Sequence, residues 1–126
     1  MTGKTILLIH KDPNIRELLF ECLTDLGGWN VQVADSNLEG LQKIKFYQID
    51  AIIFEFYLSE ISELLFLKQL REQPESQGIP VVLLSLRNKW FHLDFLQKYQ
   101  AVTVTFNPLD LAMLPLQIAH TLGWDV

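Results

Sequence analysis

The sequence predicts an α/β domain: a parallel sheet covered by helices on both faces. Short runs such as Thr5 to Ile9, Ala51 to Phe56 and Val81 to Leu84 are almost continuously apolar, as strands buried on both faces are. Segments with apolar residues at helical spacing lie between them. The two kinds alternate five times, and such alternation implies crossover connections between parallel strands.

Each element has its own signal. After the first strand, Asp12-Pro13 reads as an N-cap followed by proline at the first helical position. Ile15, Leu18, Leu19, Cys22, Leu23 and Leu26 follow as one apolar stripe, and Gly27-Gly28 ends the helix. Val31 to Ala34 is the second strand. Ser36-Asn37-Leu38-Glu39 has capping-box spacing and opens a helix through Phe46. Ala51 to Phe56 is the third strand, and Ile61 to Leu70 a helix apolar on nearly all sides. Pro74 to Pro80 is rich in turn residues. Val81 to Leu84, Asn88 to Tyr99 and Val102 to Phe106 are the fourth strand, fourth helix and fifth strand. The last helix is expected from Asp110 to Leu122, with Pro115 awkwardly inside it unless the helix starts later. Right-handed crossovers and size favour the doubly wound, flavodoxin-like strand order 2-1-3-4-5.

The 126 residues are expected to form one domain, 1–126, without an output module, and are enough for one sizeable core. A net charge of −5, with ten Lys and Arg in no run, argues against nucleic acid as a partner. No apolar stretch is long enough to span a bilayer, and no signal-peptide pattern opens the chain. The single Cys22 fits a reducing cytoplasm, the expected location, and its place on the apolar stripe makes it a buried thiol rather than a nucleophile.

Sites in such sheets lie beyond the carboxyl ends of the strands. Here those ends carry His10-Lys11-Asp12, Glu55, Ser85 and Asn107-Pro108. The segments Leu7 to Leu18, Asp50 to Leu58, Pro80 to Ser85 and Phe106 to Leu109 together resemble the receiver domains of two-component signalling, the CheY-like response regulator family. The intervals from Glu55 to Ser85 and from Ser85 to Asn107 match that family without gaps, and the resemblance covers nearly the whole chain.

The resemblance implies a phosphoacceptor pocket with unsuitable residues. Receivers attack a phosphohistidine with an aspartate, hold Mg²⁺ with an acidic pair after the first strand, and contact the phosphoryl group with a lysine and a Ser or Thr. Glu55 stands at the aspartate position, His10-Lys11 at the acidic pair and Asn107 at the lysine; only Ser85 fits. Mg²⁺ prefers carboxylate oxygens, so its binding is expected to be lost. The longer Glu55 side chain misplaces the attacking oxygen, and a displacement of about 1 Å can lower a rate on the order of a hundredfold. Lys11 is expected to pair with Glu55 in place of the metal and the lost lysine, and Asp12 to cap the first helix. Asn107-Pro108 sits where receivers usually carry a cis bond.

The expected function is therefore an atypical response regulator receiver, a pseudo-receiver. It would act not as an enzyme but by phosphorylation-independent protein–protein interaction. Two readings of Glu55 stand open: mimicry of a phosphorylated aspartate, or drift after the chemistry was lost. The resemblance places the partner or homodimer face at the fourth helix, fifth strand and fifth helix, where Trp90, Phe91, Val104 and Trp124 are the candidates. The alternative is that the fourth helix packs its rings internally. The third helix, with Leu64, Leu65, Phe66, Leu67 and Leu70, is a second candidate face. Two other functions remain open: a regulated receiver whose pocket takes phosphate or another anion, and a small flavodoxin-like cofactor binder. The second lacks a glycine-rich loop after the first strand.

Overall fold

Apolar runs this short and continuous are stable only when both faces are covered, and the chain provides that cover. The computed structural model describes residues 3–55, 61–85, 93–105 and 110–124. Strands β1 (Thr5–Ile9), β2 (Asn30–Ala34), β3 (Ala51–Glu55), β4 (Val81–Ser85) and β5 (Ala101–Thr105) form one parallel sheet in the order β2-β1-β3-β4-β5. The helices are α1 (Pro13–Glu21), α2 (Asn37–Phe46), α3 (Ile61–Glu72), α4 (Leu93–Tyr99) and α5 (Leu114–Leu122).

The pleat sorts the sheet's side chains into two cores. Ile6, Leu8, Ile53, Val82 and Leu84 meet Leu19, Cys22 and Leu23 of the α1 segment and Leu114, Ile118 and Ala119 of α5. Leu7, Ile9, Ile52, Phe54 and Leu83 meet Ile44 of α2 and Phe66, Leu67 and Leu70 of α3. Phe54 and Phe66 pack edge to face, with ring centroids 5.3 Å apart.

The helix starts follow their sequence signals. Asp12 accepts hydrogen bonds from the backbone N–H groups of Asn14 (2.8 Å) and Ile15 (3.3 Å). Ser36 Oγ accepts from Glu39 N–H at 3.1 Å, while Glu39 Oε1 accepts from Asp35 N–H, one residue before the cap. Leu111–Met113 form a single 3₁₀ turn before α5, so Pro115 falls in the helix's first turn. Its missing N–H has no intrahelical partner to lose there, and no kink is needed.

The end of the first helix differs from its pattern. Beyond α1, Cys22–Leu26 form a π-helical turn. A π turn holds more residues than an α turn, so it rotates the stripe, and Leu26 points outward. Leu18 is also exposed, leaving Ile15, Leu19, Cys22 and Leu23 on the core. Gly27 and Gly28 close the turn. A Cβ on Gly27 would lie 2.6 Å from the Leu23 carbonyl oxygen and 2.9 Å from the Trp29 ring, and Gly28 has φ +71°.

Two side chains secure the periphery. On the edge strand β2, Lys43 donates to the Val33 carbonyl, covering an acceptor that a foreign strand would otherwise use. At the end of the sheet where β4 and β5 begin, Arg71 donates to the carbonyls of Tyr99 (2.8 Å), Ser76 (2.9 Å), Gln77 (3.0 Å) and Ile79 (2.8 Å). Burial pulls its pKa down from the ordinary value, but a guanidinium starts so high that it stays charged at neutral pH. The guanidinium ties the turn after α3 to the end of α4. Arg71→Met keeps the stem and removes the donors. At about 0.5–1.5 kcal/mol net per hydrogen bond, and with water replacing some of them, urea unfolding should show a loss of about 2–3 kcal/mol.

Candidate functional site

The sheet register brings the site together. Ile9 of β1 lies beside Phe54 of β3, so the residues that follow, His10 and Glu55, emerge side by side. Neighbouring strands are about 4.8 Å apart, within reach of facing side chains. The pleat that sends Ile6 and Leu8 to the α1–α5 core sends His10 the same way, and sends Glu55 with Ile53.

His10 Nε2 and Glu55 Oε2 are 2.7 Å apart, and each residue is 8% exposed. The other ring nitrogen fixes the proton. Asp12 N–H donates to His10 Nδ1 at 3.1 Å, so Nδ1 carries no hydrogen and the ring is the neutral Nε2–H tautomer, donating to the Glu55 carboxylate. A hydrogen bond to an ionised acceptor is among the stronger kinds, more so out of water. The backbone here is held as well. His10 N–H donates to the Ala34 carbonyl at 3.1 Å, and Arg16 Nη1 donates to the His10 carbonyl at 2.9 Å. The ends of β1, β2 and β3 and the start of α1 thus meet at His10.

Lys11 was the expected partner of Glu55; the structure brings the His10 side chain against that carboxylate, a contact the sequence reading did not foresee. Lys11 is an exposed residue, consistent with its place one step out of phase with the pleat. The signal that could have shown this was the register, since His10 and Glu55 each directly follow a paired residue. Asp12 is the cap of α1. Ser85 ends β4 beside Thr105 of β5. Asn107 and Pro108, with the expected cis bond, lie outside the described residues, as do Trp90 and Phe91.

Two residues assigned to a partner surface are elsewhere. Val104 is buried in the α1–α5 core at 5% exposure, because its position in β5 places it against Leu84 on the inward face. Trp124 packs edge to face on buried Trp29, with ring centroids 5.5 Å apart and Lys4 Nζ 5.1 Å above its ring. It closes the core near the start of β1 and is no part of the α4 face. In the described part of α4, Phe95, Leu96 and Tyr99 pack on the α2–α3–α4 core, the two rings 5.2 Å apart. On α3, Phe66, Leu67 and Leu70 are buried and Leu65 is exposed. Helical spacing alone missed the most exposed aromatic among the described residues, Phe46 at the end of α2, which is 83% exposed beside half-exposed Tyr47. Cys22 is buried, donates to the Leu111 carbonyl at 3.1 Å, and has its thiol pKa pushed up by burial, so it is a poor nucleophile.

A model of the response regulator receiver domain matches residues 6–119. The chain belongs to that family. Receiver domains are signalling modules of two-component systems, and the sheet order and helical layers here are those of a CheY-like fold. The response regulator Rre1 of Synechocystis is 28% identical over 83 residues, which is 66% of this chain and 36% of that protein. The chain thus spans about a third of that relative's length. The chemotaxis protein CheY4 of Vibrio cholerae superposes with a TM-score of 0.77 at 19% identity, over 94% of this chain and 98% of that one. The receiver domain of the sensor histidine kinase PA1611 of Pseudomonas aeruginosa, solved with a magnesium ion coordinated in its active site cleft, gives 0.73 at 17% identity, over 96% and 98%. No helix among the described residues is long and apolar enough to cross a membrane.

The side chains directly after β1, His10 and Lys11, are not the oxygen ligands that Mg²⁺ prefers. That ion takes oxygen ligands in a near-ideal octahedron. Here Glu55 accepts the His10 N–H, Asp12 caps α1, and the two residues after β1 are an imidazole and an ammonium. Among the described residues no group of three or more His, Cys, Asp or Glu is placed to hold a metal.

The His10–Glu55 pair is expected to carry part of the domain's stability. His10→Ala leaves a buried carboxylate without this donor and should lower the unfolding free energy by about 3 kcal/mol in urea titrations. Replacing both members by leucine removes the unpaired charge and should recover most of that loss. With the single His10→Leu and Glu55→Leu variants, the double-mutant cycle gives a coupling of at least about 1 kcal/mol.

Proposed function

We propose that this receiver domain is a pseudo-receiver. It lacks the phosphoacceptor aspartate, needs no Mg²⁺, catalyses no reaction and works by binding a protein partner, or a second copy of itself, in the cytoplasm. The observation that carries this reading is the Glu55 carboxylate hydrogen-bonded to His10. The His10 N–H draws on the charge of that carboxylate and turns it towards β1, which weakens it as a nucleophile. The charge stabilisation that phosphoryl transfer relies on is also missing, because the residues after β1 offer no metal site. Drift of Glu55 and mimicry of a phosphorylated state both remain compatible with a paired carboxylate.

The face around α4, with Trp90 and Phe91, remains the proposed partner surface. Val104 and Trp124 are no longer among its candidates, and Phe95, Leu96 and Tyr99 of α4 pack inward on the second core.

Two experiments test the reading. Amide NMR spectra with and without Mg²⁺ and beryllofluoride, a stable acyl-phosphate mimic, should show no saturable change at His10, Glu55 or Ser85. Saturable shifts there would restore a working phosphoacceptor. Trp90→Ala or Phe91→Ala should weaken self-association in sedimentation, or partner capture, by tenfold or more, about 1.4 kcal/mol. Unchanged behaviour of both variants would remove the α4 face.

A further inference from the structure

We propose that the His10 imidazole is this domain's built-in replacement for a divalent cation at Glu55, and closes that side of the carboxylate to one. The inference deepens the phosphorylation-independent reading and rests on it.

Geometry comes first. A Mg²⁺ ion bound to Glu55 Oε2 would sit about 2.0–2.1 Å from that oxygen. His10 Nε2 is 2.7 Å from the same atom. The ring and an ion on that side of Oε2 would overlap, so one excludes the other. Electrostatics comes second. The Nε2–H presents a partial positive charge to the carboxylate, and the Asp12 N–H pointing into Nδ1 polarises the ring in the same sense. A neutral side chain thereby does part of what a cation does, without a charge to desolvate. Third, the ring is not free to swing aside. Its backbone is fixed by the bond to Ala34 and the bond from Arg16, and the ring itself by the Asp12 N–H on Nδ1. Arg16 N–H also donates to the Asp12 carbonyl at 2.9 Å, so α1 itself holds this corner closed.

The assignment separates His10 from Lys11. If Lys11 barred the ion by repulsion, removing its ammonium would open the site. If the imidazole bars it by occupancy, only a change at His10 will. His10→Asp removes the ring and places a second carboxylate beside Glu55, with Asp12 two residues on. Two neighbouring carboxylates repel unless a cation lies between them. The variant should therefore acquire both affinity for a divalent cation and a stability that depends on it.

The experiment is calorimetric titration with Mn²⁺ and Mg²⁺, alongside thermal melts, of the wild type, His10→Asp and Lys11→Ala. The wild type and Lys11→Ala should bind neither ion, and their melting should not move with Mg²⁺. His10→Asp should bind Mn²⁺ at one site and melt higher in Mg²⁺, with both effects lost on EDTA and on adding Glu55→Gln. Binding by Lys11→Ala with none by His10→Asp would overturn the inference. Absence of binding by all three would overturn it too, while leaving the phosphorylation-independent reading intact. Binding of Mg²⁺ by the wild type at Glu55 would overturn both. If His10→Asp stays unfolded with and without Mg²⁺, His10→Ser decides. It removes the ring alone, and Mn²⁺ should then broaden the amide signals of Ile9 and Glu55; unbroadened signals would overturn the proposal.

Discussion

A carboxylate at the carboxyl end of the middle strand of a parallel sheet has few ways to exist. It is walled by neighbouring strands, largely out of water, and it must be neutralised, bound to a cation or given hydrogen-bond donors. In this receiver domain that group is Glu55, and His10 is the donor. The choice propagates. Because His10 Nδ1 takes the Asp12 N–H, the chain turns so that the Asp12 side chain can cap α1. Because Arg16 of α1 binds the His10 carbonyl, the helix is held over the strand it follows. One buried pair joins the central sheet to the helix that covers one of its faces.

The rest of the molecule is arranged so that this corner can be small and rigid. Both cores are built from the alternating faces of the same five strands, and the central strands β1 and β3 are almost wholly buried. Arg71 at the opposite end of the sheet satisfies carbonyls that loops would otherwise leave to water. The site therefore sits on a framework of regular elements, which is where geometry is best kept. Specificity for a partner, by contrast, must come from the surface, and among the described residues Phe66, Leu67 and Leu70 of α3 and Phe95, Leu96 and Tyr99 of α4 are consumed in packing.

Much of this was legible in the chain. The continuous apolar runs gave most of the strands, Asp12-Pro13 and Ser36 gave two helix starts, and alternation with right-handed crossovers gave the sheet and its order. Pro115 raised a true difficulty, which the 3₁₀ turn before α5 resolves. The misses share a cause: each depends on which way a side chain points at the end of an element or after an irregularity. The π turn rotates Leu26 out of its stripe. Val104 was a candidate because the resemblance places the partner face at the fifth strand, but the inward face of that edge strand is core. Trp124 finds its partner, Trp29, far away in sequence. The contact of His10 with Glu55 follows from the register and pleat, which charge matching alone does not reveal.

The most direct measurement is long-range ¹H–¹⁵N correlation of the histidine side chains in the uniformly labelled protein. The three histidines are His10, His92 and His120. His10 should show the pure Nε2–H tautomer, with an Hε2 proton shifted far downfield and slow to exchange with water. Its Nδ1 should have the shift of a nitrogen that accepts a hydrogen bond. An Nδ1–H tautomer for His10, or a rapidly exchanging mixture of both, would mean that the imidazole does not hold Glu55 and that the account of the pocket is wrong.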